Sequence, residues 1–239
     1  MTRLTNRSVL SEDERNAVLN LPGYAEQVRS NHDFVKLGER VDHSCLIVAG
    51  VVGRFDQDSQ GNRQIIALHI PGDMADLHSA VQPEVTSALQ ALSTTTIVRI
   101  PHSAILSAAR TYPTLGEALW RDCMADSAIL AEWVFNVGRR DAKKRIAHLI
   151  CEIAVRVGAA PANGMIMFPF PLTQTHVGDA AALTPVHVNR TVQALRREGL
   201  VDIGKNVKIN DWGGLVAAAD FDDRYLHLST KPKRVPLIH

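Results

Sequence analysis

No stretch of the 239-residue chain is long and apolar enough to cross a membrane as a helix. The longest uncharged run, Val157 to Gly178, is broken by Pro161, Pro169 and Pro171 and by Gly158 and Gly164. The opening segment, Met1 to Ser11, holds no apolar core of the kind a secretory signal needs, so a cytoplasmic protein is expected. Cysteine is scarce. Cys45, Cys123 and Cys151 lie far apart with no CxxC spacing, which argues against a disulfide framework and against a structural zinc site. Internal repeats and low-complexity tracts are missing, and no Ser/His/Asp or Cys/His spacing marks a nucleophile, so no enzymatic activity is expected. What is present is the make-up of a globular protein with a sizeable core: 46% hydrophobic and 21% charged residues.

The net charge of +1 conceals an imbalance. Residues 1–138 carry 11 Lys/Arg against 16 Asp/Glu, whereas residues 139–239 carry 15 against 9. An acidic module joined to a basic one points to a polyanionic partner for the second.

Hydrophobic periodicity divides the chain. Ser11 and Glu14 form a capping box ahead of a short first helix carrying Val18, Leu19 and Leu21. From about Lys36 to Pro101 the period is two, in short runs at Cys45–Val48, Val51–Phe55, Arg63–Ile70, Val85–Leu92 and Thr95–Ile100. Gly61-Asn62 is a hairpin signal, and apolar residues on both faces of Arg63–Ile70 suit a strand inside a roll. From Thr114 to Val137 the period becomes helical. Leu115, Leu119, Cys123, Leu130, Trp133 and Val137 form one stripe, read as a coiled-coil seam with a second copy. Gly138 to Asp141 breaks the pattern, and Ile146, Leu149, Ile150, Ile153 and Val157 mark one face of a further helix. The basic tail, Lys231 to Arg234, is expected to fray. The fold class is α+β: a jelly-roll-like β-roll over 1–112, a long dimerisation helix over 113–138, and a third unit over 139–239.

The third unit holds the most specific pattern. Thr173 caps a helix from Gln174 to about Ala181. Thr184 caps a second one, with Pro185 at its first position, where a missing N–H costs nothing. The gap of about three residues is that of a helix-turn-helix. In the second helix Val188, Val192 and Leu195 point to the core. Val186, Arg190, Gln193 and Arg197 fall on the opposite side, flanked by His187 and Asn189. Arg can bridge guanine O6/N7, Asn or Gln can bridge adenine, and an aliphatic group such as Val186 can meet a thymine methyl. Thr173, Gln174 and the N–H groups beside them suit phosphate. The run Leu200–Ile209, turning at Gly204-Lys205-Asn206, reads as a β-hairpin wing with Lys205 at its tip.

This order of roll, long helix and winged helix-turn-helix resembles the Crp/Fnr family of bacterial transcription regulators over nearly the whole chain. The resemblance is carried by Gly38-Glu39, Gly50, Gly61 to Ile65, His69 to Asp73, Asp76 to Ser79, Glu132-Trp133, Gly138 to Arg140, Arg145 to Ala147 and, most specifically, Leu183 to Thr191. It implies a homodimer whose recognition helices read two half-sites of a palindrome in double-stranded DNA, with the roll sensing a signal. RNA polymerase is an implied partner if the protein is an activator. The chain also departs from the family. Val186 stands where many members have Glu, so the usual half-site is not expected. Ala182 stands where Gly is common; at a positive φ, Ala costs about 1 kcal/mol. The turn Pro71-Gly72-Asp73 leads into Met74-Ala75-Asp76, and Glu84 to Ser87 supplies no arginine, so the family's cradle for a cyclic nucleotide is missing. Three scattered cysteines cannot hold the cluster of the oxygen-sensing members. No cofactor is expected and no effector is assigned. The alternative is a metal-binding, cupin-like sensor or enzyme using His69, Asp76 and His78.

Overall fold

A computed structural model describes residues 2–159 and 165–228. The basic tail at Lys231 to Arg234, and Pro161 and Gly164 of the uncharged run, lie outside them. Two short helices, α1 (Thr2–Arg7) and α2 (Glu12–Leu19), open the chain. The Ser11 capping box forms: Ser11 Oγ accepts from Glu14 N–H at 3.3 Å, and Glu14 Oε2 accepts from Ser11 N–H at 2.6 Å.

Seven strands follow: β1 (Tyr24–Val28), β2 (His32–Val35), β3 (His43–Ala49), β4 (Val52–Gln57), β5 (Arg63–His69), β6 (Ala88–Ala91) and β7 (Thr95–Pro101). All pairings are antiparallel, in sheets ordered β1-β7-β3 and β2-β6-β4-β5. Val28, Val35, Cys45, Ile47, Val52, Leu89 and Ile97 fill the space between them. The roll thus begins at Tyr24, before the period-two pattern does, because β1 is an edge strand with only Val28 buried. Strict alternation would send Ile65 and Leu68 of β5 to opposite faces, yet both are buried. The ladder with β4 pairs Arg54 with Ala67 and Phe55 with Ile65, so Ile66 is an extra residue that resets the phase.

Helix α3 (His102–Thr111), which the periodicity missed, runs into α4 (Pro113–Arg139). Tyr112 separates them at φ −126°, ψ 90°, the extended conformation that a following proline imposes. Gly138 stays helical. The chain turns at Arg140, and the Asp141 carboxylate caps α5 (Ala142–Arg156) by accepting from Lys144 N–H at 3.0 Å. Every residue of α5 from Ile146 to Ala154 is buried, so α5 is enclosed all round rather than on one face. Around it lie β8 (Ile166–Pro169), α6 (Gln174–Ala181), α7 (Pro185–Arg197), β9 (Val201–Ile203), β10 (Asn206–Ile209) and α8 (Trp212–Ala219), with the small sheet ordered β8-β10-β9.

One apolar core joins the two ends of the chain, since Phe55, Ile65 and Leu68 of the roll pack in the same cluster as Ile146, Ile150 and Leu195. Buried charges cross the same boundary. Asp73 accepts from Arg156 Nη2 at 2.6 Å and from Ile70 N–H at 3.0 Å, and pairs with Arg3. Burial pushes its carboxyl pKa up, but Arg156 and Arg3 prevail and hold it at about 2. Glu152 is fully buried and accepts from Arg156 Nη1, Trp133 Nε1 and the Tyr225 hydroxyl, each at 2.9 Å. Such saturation is what makes a buried carboxylate tolerable.

Candidate nucleic-acid interface

Helices α6 and α7 form the predicted pair. Thr173 caps α6, its Oγ1 accepting from His176 N–H at 3.2 Å, and His176 closes the box where Glu or Gln is usual. The turn between the helices rests on two residues. Ala182 sits in the left-handed region at φ 53°, ψ 50°, so the strain anticipated from the sequence is present. Gly178 was not singled out, yet a Cβ there would lie 2.5 Å from the Leu183 carbonyl oxygen, so only glycine lets the turn close. The last carbonyls of α6, which lack helical partners, accept from Gln64 Nε2 (Ala180, 3.3 Å) and Arg145 Nη1 (Ala181, 3.1 Å).

Thr184 caps α7 by accepting from His187 N–H at 3.3 Å. The inner face is Val188, Thr191 and Leu195, with the expected Val192 only half-buried. Thr191 can go inside because its hydroxyl donates to the His187 carbonyl at 2.8 Å. Outside, Val186 is 80% exposed, and Asn189, Arg190, Gln193 and Arg197 are exposed with it, His187 half so. Arg190 Nη2 lies 2.7 Å from His187 Nε2, and Arg197 Nε donates to the Gln193 carbonyl at 3.3 Å. Among the described residues neither guanidinium meets a carboxylate. Arg196 differs: it pairs with Asp202 and reaches the Ile203 carbonyl, tying α7 to the wing. Thr173, Gln174 and Thr184 are exposed at the helix starts. Lys205 is exposed at the β9–β10 tip, whose main chain is fixed by Phe170 N–H donating to the Lys205 carbonyl at 3.0 Å. Phe170 directly follows strand β8, which the hairpin pattern did not include.

The stripe read as a dimer seam on α4 is mostly covered by the chain's own residues. Leu115 is buried against Leu10 and Ala118, and Trp133 is buried with its indole on Glu152. Leu119 and Cys123 pack against the Leu77, Ile100 and Ile105 cluster, and Val137 is half-buried; only Leu130 is exposed. That stripe is chiefly the face the chain itself covers. The uncovered row is Trp120, Met124, Ser127, Ala131, Val134 and Gly138, all exposed and alternating in steps of four and three. His69, Asp76 and His78 do not converge either. Asp76 Oδ1 accepts from Cys45 N–H at 2.7 Å, and among the described residues no group of three or more His, Cys, Asp or Glu is placed to hold a metal ion.

Among the described residues no helix is long and apolar enough to cross a membrane. Residues 25–112 match the model of the cyclic nucleotide-binding domain, and residues 144–218 that of the Crp-like helix-turn-helix domain. The transcriptional activator protein FnrL of Cereibacter sphaeroides is 27% identical over 88% of this chain and 86% of its own length. An anaerobic regulatory protein of Haemophilus influenzae is 24% identical, over 87% and 80%. The solved structure of FixK2 from Bradyrhizobium japonicum superposes with a TM-score of 0.75 at 24% identity, covering 83% of this chain and 98% of that one. The two domain matches fall on the roll and on the α6–α7 unit in the order seen here, with α4 between them, and the chain belongs to the Crp/Fnr family of DNA-binding transcription regulators.

Proposed function

We propose that this regulator acts as a homodimer and reads a palindromic site, with α7 of each copy in the major groove of one half-site. The observation that carries the reading is the outer face of α7: two arginines without carboxylate partners, an Asn and a Gln, and a valine side chain open to solvent. Val186, Asn189, Arg190, Gln193 and Arg197 supply base contacts, with His187 beside Arg190. Thr173, Gln174, Thr184 and Lys205 meet the phosphates on either side. The second copy docks along Trp120, Met124, Ser127, Ala131, Val134 and Gly138 of α4. Small side chains at Ser127, Ala131 and Gly138 let two helix backbones approach closely there. If the protein is an activator, RNA polymerase is a further partner.

Selection of the purified, ligand-free protein on randomised duplex DNA tests the reading. The expected result is a palindrome with half-site centres about 34 Å, one helical turn, apart. Enrichment of a single, non-repeated half-site would overturn the dimer, and salt-dependent binding without sequence enrichment would overturn the base contacts assigned to α7.

A further inference from the structure

Helix α7 carries three arginines, and each is held by a different kind of acceptor. Arg196 pairs with the Asp202 carboxylate, Arg197 donates through Nε to the Gln193 carbonyl, and Arg190 places Nη2 2.7 Å from Nε2 of His187. A carboxylate neutralises the cation it holds, whereas an imidazole nitrogen without a proton accepts the bond and leaves the charge intact. Donation from Nη2 requires Nε2 to be that bare nitrogen, so the ring is neutral with its proton on Nδ1. The ring also stands on a fixed base. The His187 N–H donates to Thr184 Oγ1 at 3.3 Å, and its carbonyl accepts from the Thr191 hydroxyl at 2.8 Å, so the main chain is pinned from both sides. Arg190, one turn on, is exposed, and among the described residues its guanidinium makes no other hydrogen bond.

An exposed arginine samples many rotamers, and ordering it on a base edge subtracts from affinity. The bond to His187 uses one of the two N–H groups on Nη2. The other, with a neighbouring N–H of the same guanidinium, remains as a two-pronged fork of the kind that matches guanine O6 and N7. We infer that His187 is a positioning residue for base recognition: its neutral ring holds Arg190 in a reading pose before DNA arrives, and so sharpens discrimination at the one base pair that Arg190 meets. This rests on the reading that α7 enters the major groove. The same contact makes the discrimination depend on a proton. A protonated ring cannot accept and sets a like charge beside the guanidinium, which releases Arg190. No ionisable group of α5, α6 or β9, the elements packed on α7, bonds to the ring among the described residues. Lys143 is on Glu198, Arg145 on the Ala181 carbonyl, His176 on the Thr173 N–H and Asp202 on Arg196.

Fluorescence anisotropy of the full-length protein on the selected palindrome, and on the same duplex changed at the base pair that Arg190→Ala relaxes, tests this. The readout is the ratio of the two affinities, which cancels any loss of folded protein at low pH. His187→Ala should lower that ratio about fivefold and leave discrimination at the other positions unchanged. The unaltered protein should lose a similar factor between about pH 7.5 and about pH 5.5, a span that brackets imidazole titration. His187→Gln, whose amide oxygen lies as many bonds from Cβ as Nε2 does, should restore the ratio and make it flat over that span. With Arg190→Ala already in place, His187→Ala should change nothing further. The inference is overturned if His187→Ala leaves the ratio alone, weakens all sequences equally or keeps its effect without Arg190, or if His187→Gln retains the pH dependence. Arg190→Ala relaxing no base would sink the reading of α7 and this inference together. Relaxation there with an indifferent His187 sinks this inference alone.

Discussion

Helices α4 and α7 each have a face that no other part of the described chain covers, and the two faces are chemical opposites. On α7 the open face is Asn189, Arg190, Gln193 and Arg197; on α4 it is Trp120, Met124, Val134 and Phe135. Their covered sides are both mainly apolar, with polar residues among them. Helix α7 buries Thr191 beside Val188 and Leu195, and α4 buries Asp122 and Asn136 beside Leu115, Ile129 and Trp133. Water satisfies an open polar face, so the exposure of α7 alone demands no partner; its partner follows from which polar groups are there. An open row of large apolar side chains is unfavourable in water, so α4 demands a partner whatever its residues. One helix specifies what it binds, and the other specifies that it binds.

Five changes would break or sharpen that contrast. The largest effect is expected from Val134→Glu, which sets two like charges facing each other in the α4 seam. Light scattering should show monomers, and operator affinity should fall by about 10²–10⁴-fold as the second half-site contact is lost; a persisting dimer would move the seam off this face. On α7, Arg190→Ala should cost roughly 1–3 kcal/mol at the selected site and relax one base position. Equal loss on every sequence would make Arg190 a phosphate contact. The inner charges of the roll can be read by acid titration of thermal stability. Asp73, near 4 in the unfolded chain and about 2 when folded, contributes above pH 4 and loses its contribution between pH 4 and 2. That amounts to stability on the order of 2 kcal/mol. His69, depressed by burial, refuses a proton that the unfolded chain accepts, so the melting temperature should already decline as pH drops below about 6.5. A flat profile from pH 7 to 4 would contradict that burial. Ala182→Gly should stabilise by about 0.5–1 kcal/mol, seen as a higher urea midpoint at unchanged slope, because glycine relieves the left-handed residue. The smallest effect is expected from Lys205→Ala, which should weaken binding evenly across sequences and lower the salt slope by about 1. An unchanged slope would take the wing out of the interface.

The helix-turn-helix was legible because its signals are local. Thr173, Thr184 and Pro185 act within one turn of themselves, and Gly204-Lys205-Asn206 closes a hairpin of immediate neighbours. Features that depend on distant partners were not legible. Strands β1 and β2 escaped notice because each buries a single residue, Val28 and Val35, too little to make a period-two pattern. The bulge at Ile66 needs β4 beside it before it can be seen. Thr191 looked polar until its hydroxyl met the His187 carbonyl. The open row of α4 gave a weaker signal for a related reason. The strongest apolar stripe marks the side a chain covers with its own atoms, and the outer row, interrupted by Ser127, Ala131 and Gly138, is weaker in hydrophobicity. The inward turn of Arg54 to the Ala75 carbonyl gave no signal at all, since an arginine in a strand ordinarily points to water.

The length of α4 makes it a lever. Its 27 residues span about 40 Å, with Ser127, which faces a cavity against the roll, part-way along and the join to α5 at its far end. A tilt of about 10° about Ser127 would carry the Arg139 end some 3 Å sideways, taking roughly 18 Å of helix as the arm. DNA offers its two grooves at a fixed repeat, so a displacement of that size in each of two arms separates a pair of α7 helices that matches the repeat from one that straddles it. A shift of a few Å at the middle of α4 would therefore be felt at a recognition distance many times as large.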